Sequence, residues 1–166
     1  MNSRNRRFAT RMDTPVGNLL LVADDHHLRE IRFLRDESAQ GVWEEEWVFP
    51  EEHPLLESAV SQLWEYFHGQ RRNFSLPLWQ AGTAFQQRVW RALQQIPYGQ
   101  VVSYQELARW IDRPKAVRAV GQANRKNKIP ILVPCHRVIY RNGEVGGYAA
   151  GLEIKRRLLA LEGVRL

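Results

Sequence analysis

Ile129-Pro130-Ile131-Leu132-Val133-Pro134-Cys135-His136-Arg137-Val138 is the stretch on which the reading of this 166-residue chain turns, because it holds the only cysteine. The apolar run Ile129–Val133 predicts a buried strand that delivers one thiol to its end. A thiolate is far more nucleophilic than a thiol, and an ordinary cysteine is only a few per cent ionised near neutral pH. His136 and Arg137 stand beside it and can raise that fraction. By itself a lone cysteine also reads as a small buried core residue. The neighbours favour the nucleophile.

Outward from this stretch the C-terminal half reads as mostly helical. Thr83 caps a helix with Phe85, Val89, Trp90 and Leu93 on one face, closed by Pro97-Tyr98-Gly99. Ser103, with Glu106 three residues on, has the capping-box pattern before Leu107, Ala108 and Ile111. Asp112-Arg113-Pro114 breaks that helix, and Lys115 to about Arg125 predicts the next. Two short helices joined by a tight turn form a helix-turn-helix arrangement. Asn142-Gly143 predicts a hairpin turn and a small wing. A last helix is expected from about Leu152 to Leu161.

The N-terminal half reads as a small α+β unit. Thr14-Pro15-Val16-Gly17 signals a turn, Asn18–Ala23 a strand, and Leu28–Leu34 alternates apolar and polar as a half-buried strand does. A third strand is expected around Thr10-Arg11-Met12. His53-Pro54 opens an amphipathic helix carrying Leu56, Val60, Leu63, Trp64 and Phe67, and Gly69 can end it. Phe74–Leu78 reads as extended chain. The expected division is an N-terminal α+β domain over 1–78 and a C-terminal domain over 79–166.

Charge separates the halves further. Residues 1–84 carry nine Lys/Arg against thirteen Asp/Glu, a balance of −4; residues 85–166 carry fifteen against five, a balance of +10. That asymmetry is a footprint for a polyanion on the C-terminal half, although a basic face can also be merely solvated. The acidic runs Glu44-Glu45-Glu46 and Glu51-Glu52 would repel phosphate, so the N-terminal half is expected to face away from it. Hydrophobic residues make up 44%, with six Trp, six Phe and five Tyr, which fits a folded globular protein. No apolar stretch suits a signal peptide or a membrane span, and one cysteine permits no internal disulfide. The reading is a soluble, cytoplasmic protein.

The C-terminal residues resemble the signature of the O6-alkylguanine-DNA alkyltransferases. The likeness runs through Arg118-Ala119-Val120-Gly121, Asn127, Ile129–Ile139, Gly143, Val145-Gly146-Gly147-Tyr148 and Gly151 to Leu158-Leu159-Ala160-Leu161-Glu162-Gly163. It covers residues 83–166 strongly and the N-terminal half only in length and general pattern. It implies an RNase H-like N-terminal unit, a winged helix-turn-helix domain, and direct-reversal repair of DNA. An alkyl group, chiefly methyl, passes irreversibly from O6 of guanine to Cys135, once per protein, with O4 of thymine as a further candidate substrate.

The resemblance also assigns roles. His136 relays the thiol proton through a water, since consecutive side chains diverge, and Glu162 holds and polarises the imidazole. Asn127 braces the turn around the site; relatives commonly follow it with proline, where this chain has Lys128. Arg137 reads as structural. Tyr104 crowds a DNA phosphate and donates to the flipped guanine, and Arg118 fills the space the base vacates. Ser103, Ala116, Ala119, Gly121 and Arg125 join them at the minor groove. The pocket is expected from the Cys135 and Val138 carbonyls and from Val145, Gly146, Gly147, Tyr148, Ala149 and Gly151. Ala149 stands where some relatives have serine, and Ala150, replacing a common glycine, would narrow the pocket toward smaller alkyl groups.

No cofactor is expected. Some relatives carry zinc in the N-terminal unit, but the cysteines it needs are absent, and the five histidines show no zinc-ligand spacing. The expected partner is alkylated double-stranded DNA, bound by a monomer, with cooperative assembly on DNA left open. The competing classes are a non-catalytic lesion sensor or helix-turn-helix regulator, disfavoured by the intact Cys135, and a cysteine hydrolase, which needs a histidine in direct reach of the thiol.

Overall fold

The computed structural model describes residues 6–34 and 47–166, so the acidic run Glu44-Glu45-Glu46 lies outside the described residues. The chain divides into two compact units, Met1–Gln80 and Ala81–Leu166.

The first unit is a sheet with one helix. Strands β1 (Arg7–Thr14), β2 (Gly17–Ala23), β3 (Leu28–Leu34) and β4 (Trp47–Val48) lie in the order β3-β2-β1-β4. β1 and β2 pair antiparallel from Phe8↔Ala23 to Thr14↔Gly17, as do β2 and β3 from Asn18↔Leu34. These three strands were legible in the sequence. The two-residue β4, parallel to β1, was not, because two residues show no alternation. Along β2 every residue from Leu19 to Ala23 is buried. Leu20 and Val22 pack with Ala9, Leu34 and Trp47 on one face. Alternation turns Leu19 and Leu21 the other way. Helix α1 (Pro54–Phe67) starts with Pro54 in its first turn and with His53 accepting the Leu56 N–H at Nδ1. Its buried stripe is Leu56, Ala59, Leu63, Tyr66 and Phe67. Phe74–Leu78 ends in a parallel bridge between Leu78 and Leu28.

The second unit carries helices α2 (Ala84–Leu93), α3 (Tyr104–Trp110), α4 (Val117–Arg125) and α5 (Leu152–Leu161), with strands β5 (Val102–Ser103) and β6 (Val138–Ile139). Thr83 and Gln86 form the capping box that opens α2, and Ser103 Oγ accepts the Glu106 N–H at the start of α3. α2 stops at Leu93, short of Pro97, and residues 94–96 continue in tight turns. α4 begins at Val117 rather than Lys115: Ala116 has no capping oxygen and instead closes a turn onto the Arg113 carbonyl. Trp90 ties α2 to α4 by donating from Nε1 to the Ala123 carbonyl at 2.9 Å.

One expectation is overturned. Ile129–Val133 is buried but is not a strand; the strand is β6, which follows Cys135. Pro130 and Pro134 have no N–H to give a ladder, and Ile131 has φ 74°. The segment folds on itself instead, Val133 N–H to Ile129 O at 2.9 Å and Cys135 N–H to Val133 O at 2.8 Å. Asn142-Gly143 does form its turn, closed from Gly143 N–H to Tyr140 O and from Tyr140 N–H to Glu144 O. Residues 144–148 then run without a ladder.

Replacing Trp90 by Phe removes the Nε1 donor and part of the buried ring, and leaves the Ala123 carbonyl with the Lys126 N–H at 3.1 Å. We expect a loss of about 1–3 kcal/mol in denaturant unfolding. Unchanged stability would mean the bond contributes nothing.

Candidate active site

Cys135 opens a single 3-10 turn, Cys135–Arg137, held between the 127–134 turns and β6. The turn is anchored from behind. His136 is fully buried, and its Nε2 lies 2.6 Å from Glu162 Oε2. Arg137 donates from Nε to Glu162 Oε1 at 2.8 Å, from one terminal nitrogen to Oε2 at 3.1 Å, and from the other to the Ile96 carbonyl at 2.7 Å. Glu162 Oε1 also accepts the Gly99 N–H at 3.2 Å. The carboxylate at the end of α5 therefore joins the Cys135 turn to the 97–99 turn.

These bonds set the protonation states. Burial alone would raise the Glu162 carboxyl, but His136 and Arg137 outweigh it and hold the group at about 2. Burial pushes the His136 imidazolium down against the pull of Glu162. The imidazole is thus neutral, Nε2–H donates to the carboxylate, and the buried Nδ1 has no hydrogen-bond partner among the described residues. Burial also pushes the Cys135 thiol up; hydrogen bonds from Asn127 and Tyr148 and the positive charge of Lys155 oppose this.

Asn127 braces the turns from both ends of its amide, donating to the Val133 carbonyl at 2.8 Å and accepting the Ile129 N–H at 3.1 Å. Tyr104 is buried, and burial raises its phenol to about 12, with Tyr140 adding and Arg125 subtracting. The phenol is a donor across the physiological range. A Cβ built on Gly121 would sit 3.9 Å from the Tyr104 ring, so α4 packs its small residue on that tyrosine. Ser103 is buried as the α3 cap, Ala116 precedes α4, and Arg118, Ala119 and Arg125 are exposed along α4. Arg125 reaches the loop after Cys135: a Cβ on Gly147 would lie 3.2 Å from its guanidinium.

The residues expected to line the pocket are only partly together. A cavity of about 900 Å³ is walled by Val145, Gly146, Gly147, Tyr148 and Gly151, with Tyr140, Leu152 and Leu159 among its other walls. Cys135, Val138 and Ala149 do not line it. Val138 is buried, and its carbonyl, expected to face the pocket, accepts from Lys155 Nζ at 2.6 Å. Ala149 is exposed. The Cys135 carbonyl faces the Asn124 amide at 3.4 Å.

Lys155 is the residue the sequence reading missed. It is fully buried, it also donates to the Gly147 carbonyl at 3.2 Å, and burial lowers its ammonium to about 8 while Cys135 pulls the other way. Its signal was available. Lys155, Leu158, Leu159 and Glu162 recur at i, i+3, i+4 and i+7, the spacing of one buried helical stripe. Inside Lys155-Arg156-Arg157 it passes for a surface charge. Among the described residues no group of three or more His, Cys, Asp or Glu side chains is placed to hold a metal ion.

Comparison with known proteins agrees with this architecture. Residues 8–80 match the family model for the ribonuclease-like domain of 6-O-methylguanine DNA methyltransferase, and residues 84–164 match the model for its DNA-binding domain. The chain belongs to the O6-alkylguanine-DNA alkyltransferase family. It is 48% identical to the constitutive methylated-DNA–protein-cysteine methyltransferase of Bacillus subtilis, over 93% of this chain and 94% of that one. It is 46% identical to the methylated-DNA–protein-cysteine methyltransferase of Methanosarcina acetivorans, over 91% and 95%. The crystal structure of Mycobacterium tuberculosis OGT in complex with DNA superposes with a TM-score of 0.83 at 42% identity, covering 93% and 92% of the two chains.

Two outcomes follow from the buried charges. Glu162 titrates near 4.5 when unconstrained and near 2 here, so the stability it supplies is complete above about 4.5 and drains as pH falls through about 2. Glu162→Gln should cost about 3 kcal/mol or more at pH 7 and flatten the acid limb of a stability-against-pH curve between pH 5 and 2. Parallel acid limbs for the two proteins would contradict this. Lys155→Met should push the Cys135 thiol higher still by removing the charge that favours thiolate, seen as a lower alkylation rate by iodoacetamide at neutral pH. An unchanged rate would remove Lys155 from the thiol's electrostatics.

Proposed function

We propose that Cys135 is the alkyl acceptor of this alkyltransferase and that the buried His136–Glu162 pair is its proton relay. The observation that carries the reading is the union of the chain's single thiol with a neutral imidazole whose Nε2 is committed to a carboxylate and whose Nδ1 is open. A water at Nδ1 would pass the thiol proton to it. Nδ1 makes no hydrogen bond to the Cys135 sulfur, and that does not favour a hydrolase dyad, in which the histidine itself must reach the sulfur.

In the proposed step the sulfur attacks the alkyl carbon, the carbon–O6 bond breaks, and its electron pair goes to guanine. The thiol proton, handed on through His136, ends on the released guanine. The product is a thioether, which neither thiol exchange nor simple hydrolysis reverses. One protein therefore repairs one lesion. The guanine must leave the stack at a cost of roughly a few kcal/mol. Arg118, exposed on α4, suits the vacated space, Tyr104 supplies a protonated phenol to the extruded base, and Ser103, Ala116, Ala119, Gly121 and Arg125 form the rest of the groove-facing surface. The loop 145–151 walls the base.

The domain plan we adopt is an N-terminal α+β domain over 1–78 and the alkyltransferase domain over 79–166. No described helix is long and apolar enough to cross a membrane. A cytoplasmic monomer acting on alkylated duplex DNA is the setting of this reading, and a single unpaired thiol suits a reducing compartment.

Cys135→Ser should abolish transfer and keep DNA binding. Peptide mass spectrometry after incubation with O6-methylguanine DNA should show one added methylene on the Cys135 peptide, with a plateau of one per protein; a methyl on another residue, or multiple turnovers, would sink the assignment. Arg118→Ala should slow repair of duplex DNA about tenfold or more while sparing reaction with free O6-benzylguanine, which needs no extrusion. Equal losses on both would place Arg118 outside base flipping.

A further inference from the structure

Tyr140 stands directly after the strand that follows Cys135, and it leaves that strand beside Tyr104. β5 and β6 pair in parallel with Val102 opposite Val138 and Ser103 opposite Ile139. The next residue on each chain is a tyrosine, and the register brings the two side by side. Their ring centroids are 5.3 Å apart at an interplanar angle of 46°, within the range of favourable aromatic pairs. Both rings converge on Gly146. A Cβ there would lie 3.3 Å from the Tyr104 hydroxyl and 3.3 Å from Tyr140 Cε2, and Gly146 has φ 75°. A side chain there would be strained by the positive φ and would need both tyrosines to give by a few tenths of an ångström.

The two rings differ in surroundings. Tyr104 is 8% exposed and Tyr140 45% exposed, so the core does not require Tyr140. Its backbone is nevertheless fixed on both sides, by β6 before it and by the turn that its N–H and carbonyl close with Glu144 and Gly143. A half-exposed aromatic ring on a fixed backbone, leaning on the phenol proposed to meet the base, has a use that packing alone does not supply.

We propose that Tyr140 is a positioning residue that holds the Tyr104 hydroxyl in place for the extruded guanine, an inference that rests on the function proposed above. Its ring limits the swing of Tyr104 on one side while Gly121 and Gly146 bound it on the others. The ring is what acts, and the Tyr140 hydroxyl is dispensable.

A double-mutant cycle on the full chain tests this, reading the single-turnover rate of methyl transfer from O6-methylguanine duplex DNA. Tyr140→Ala should slow transfer about five- to tenfold, the scale of one aromatic pair, and shift the thermal midpoint little. Tyr140→Phe should stay within about twofold of wild type, because it keeps the ring. In a Tyr104→Phe background, with no hydroxyl to aim, Tyr140→Ala should add less than about twofold. No loss with Tyr140→Ala, the same loss in both backgrounds, or a Tyr140→Phe as slow as Tyr140→Ala would each overturn the proposal. A wild-type protein that takes no methyl on Cys135 would overturn the function itself and this inference with it.

Discussion

The Glu162 carboxylate is the constraint on which the rest of the C-terminal unit depends. A buried charge is tolerated only when it is paired and its lone pairs are used. Glu162 meets that condition by binding the His136 ring, the Arg137 guanidinium and the Gly99 amide together. His136 and Arg137 lie on the Cys135 turn and Gly99 on the turn after α2, so neutralising the charge also fixes where those two stretches go. The same bonds hold a neutral imidazole in one tautomer. Structure and chemistry here are one set of contacts.

Lys155 complements this from the other side of the turn. One helix, α5, brings both a buried anion and a buried cation to the loops around Cys135, seven residues apart on one face. Glu162 organises the proton-carrying side, and Lys155 ties the Val138 and Gly147 carbonyls while its charge favours thiolate. A thiol that burial alone would keep protonated is thereby brought nearer to use.

Much of this was legible in the sequence, for identifiable reasons. Capping residues announce themselves locally, so Thr83 and Ser103 marked α2 and α3 well, and the alternation in Leu28–Leu34 marked a strand. What failed was periodicity in a short apolar run. Ile129–Val133 is as apolar as a strand and as buried as one, but Pro130 within it, Pro134 after it and a positive φ at Ile131 make it a coil of turns. The two-residue strands β4, β5 and β6 are too short for any pattern, although β5 and β6 place Tyr104 beside Tyr140. Lys155 was hidden because its neighbours Arg156 and Arg157 are exposed, and only the helical stripe distinguishes it. Val138 was expected in the pocket wall; its carbonyl is turned to Lys155 instead.

The proton relay stands or falls on the protonation of one ring. Selective ¹⁵N labelling of histidine, followed by a pH titration of His136 by NMR, reads it directly. A neutral imidazole is expected at neutral pH, protonated at Nε2 and bare at Nδ1. Glu162→Gln should release that tautomer preference. An imidazolium at neutral pH, or the proton on Nδ1, would leave His136 no lone pair facing away from Glu162 and would contradict the relay.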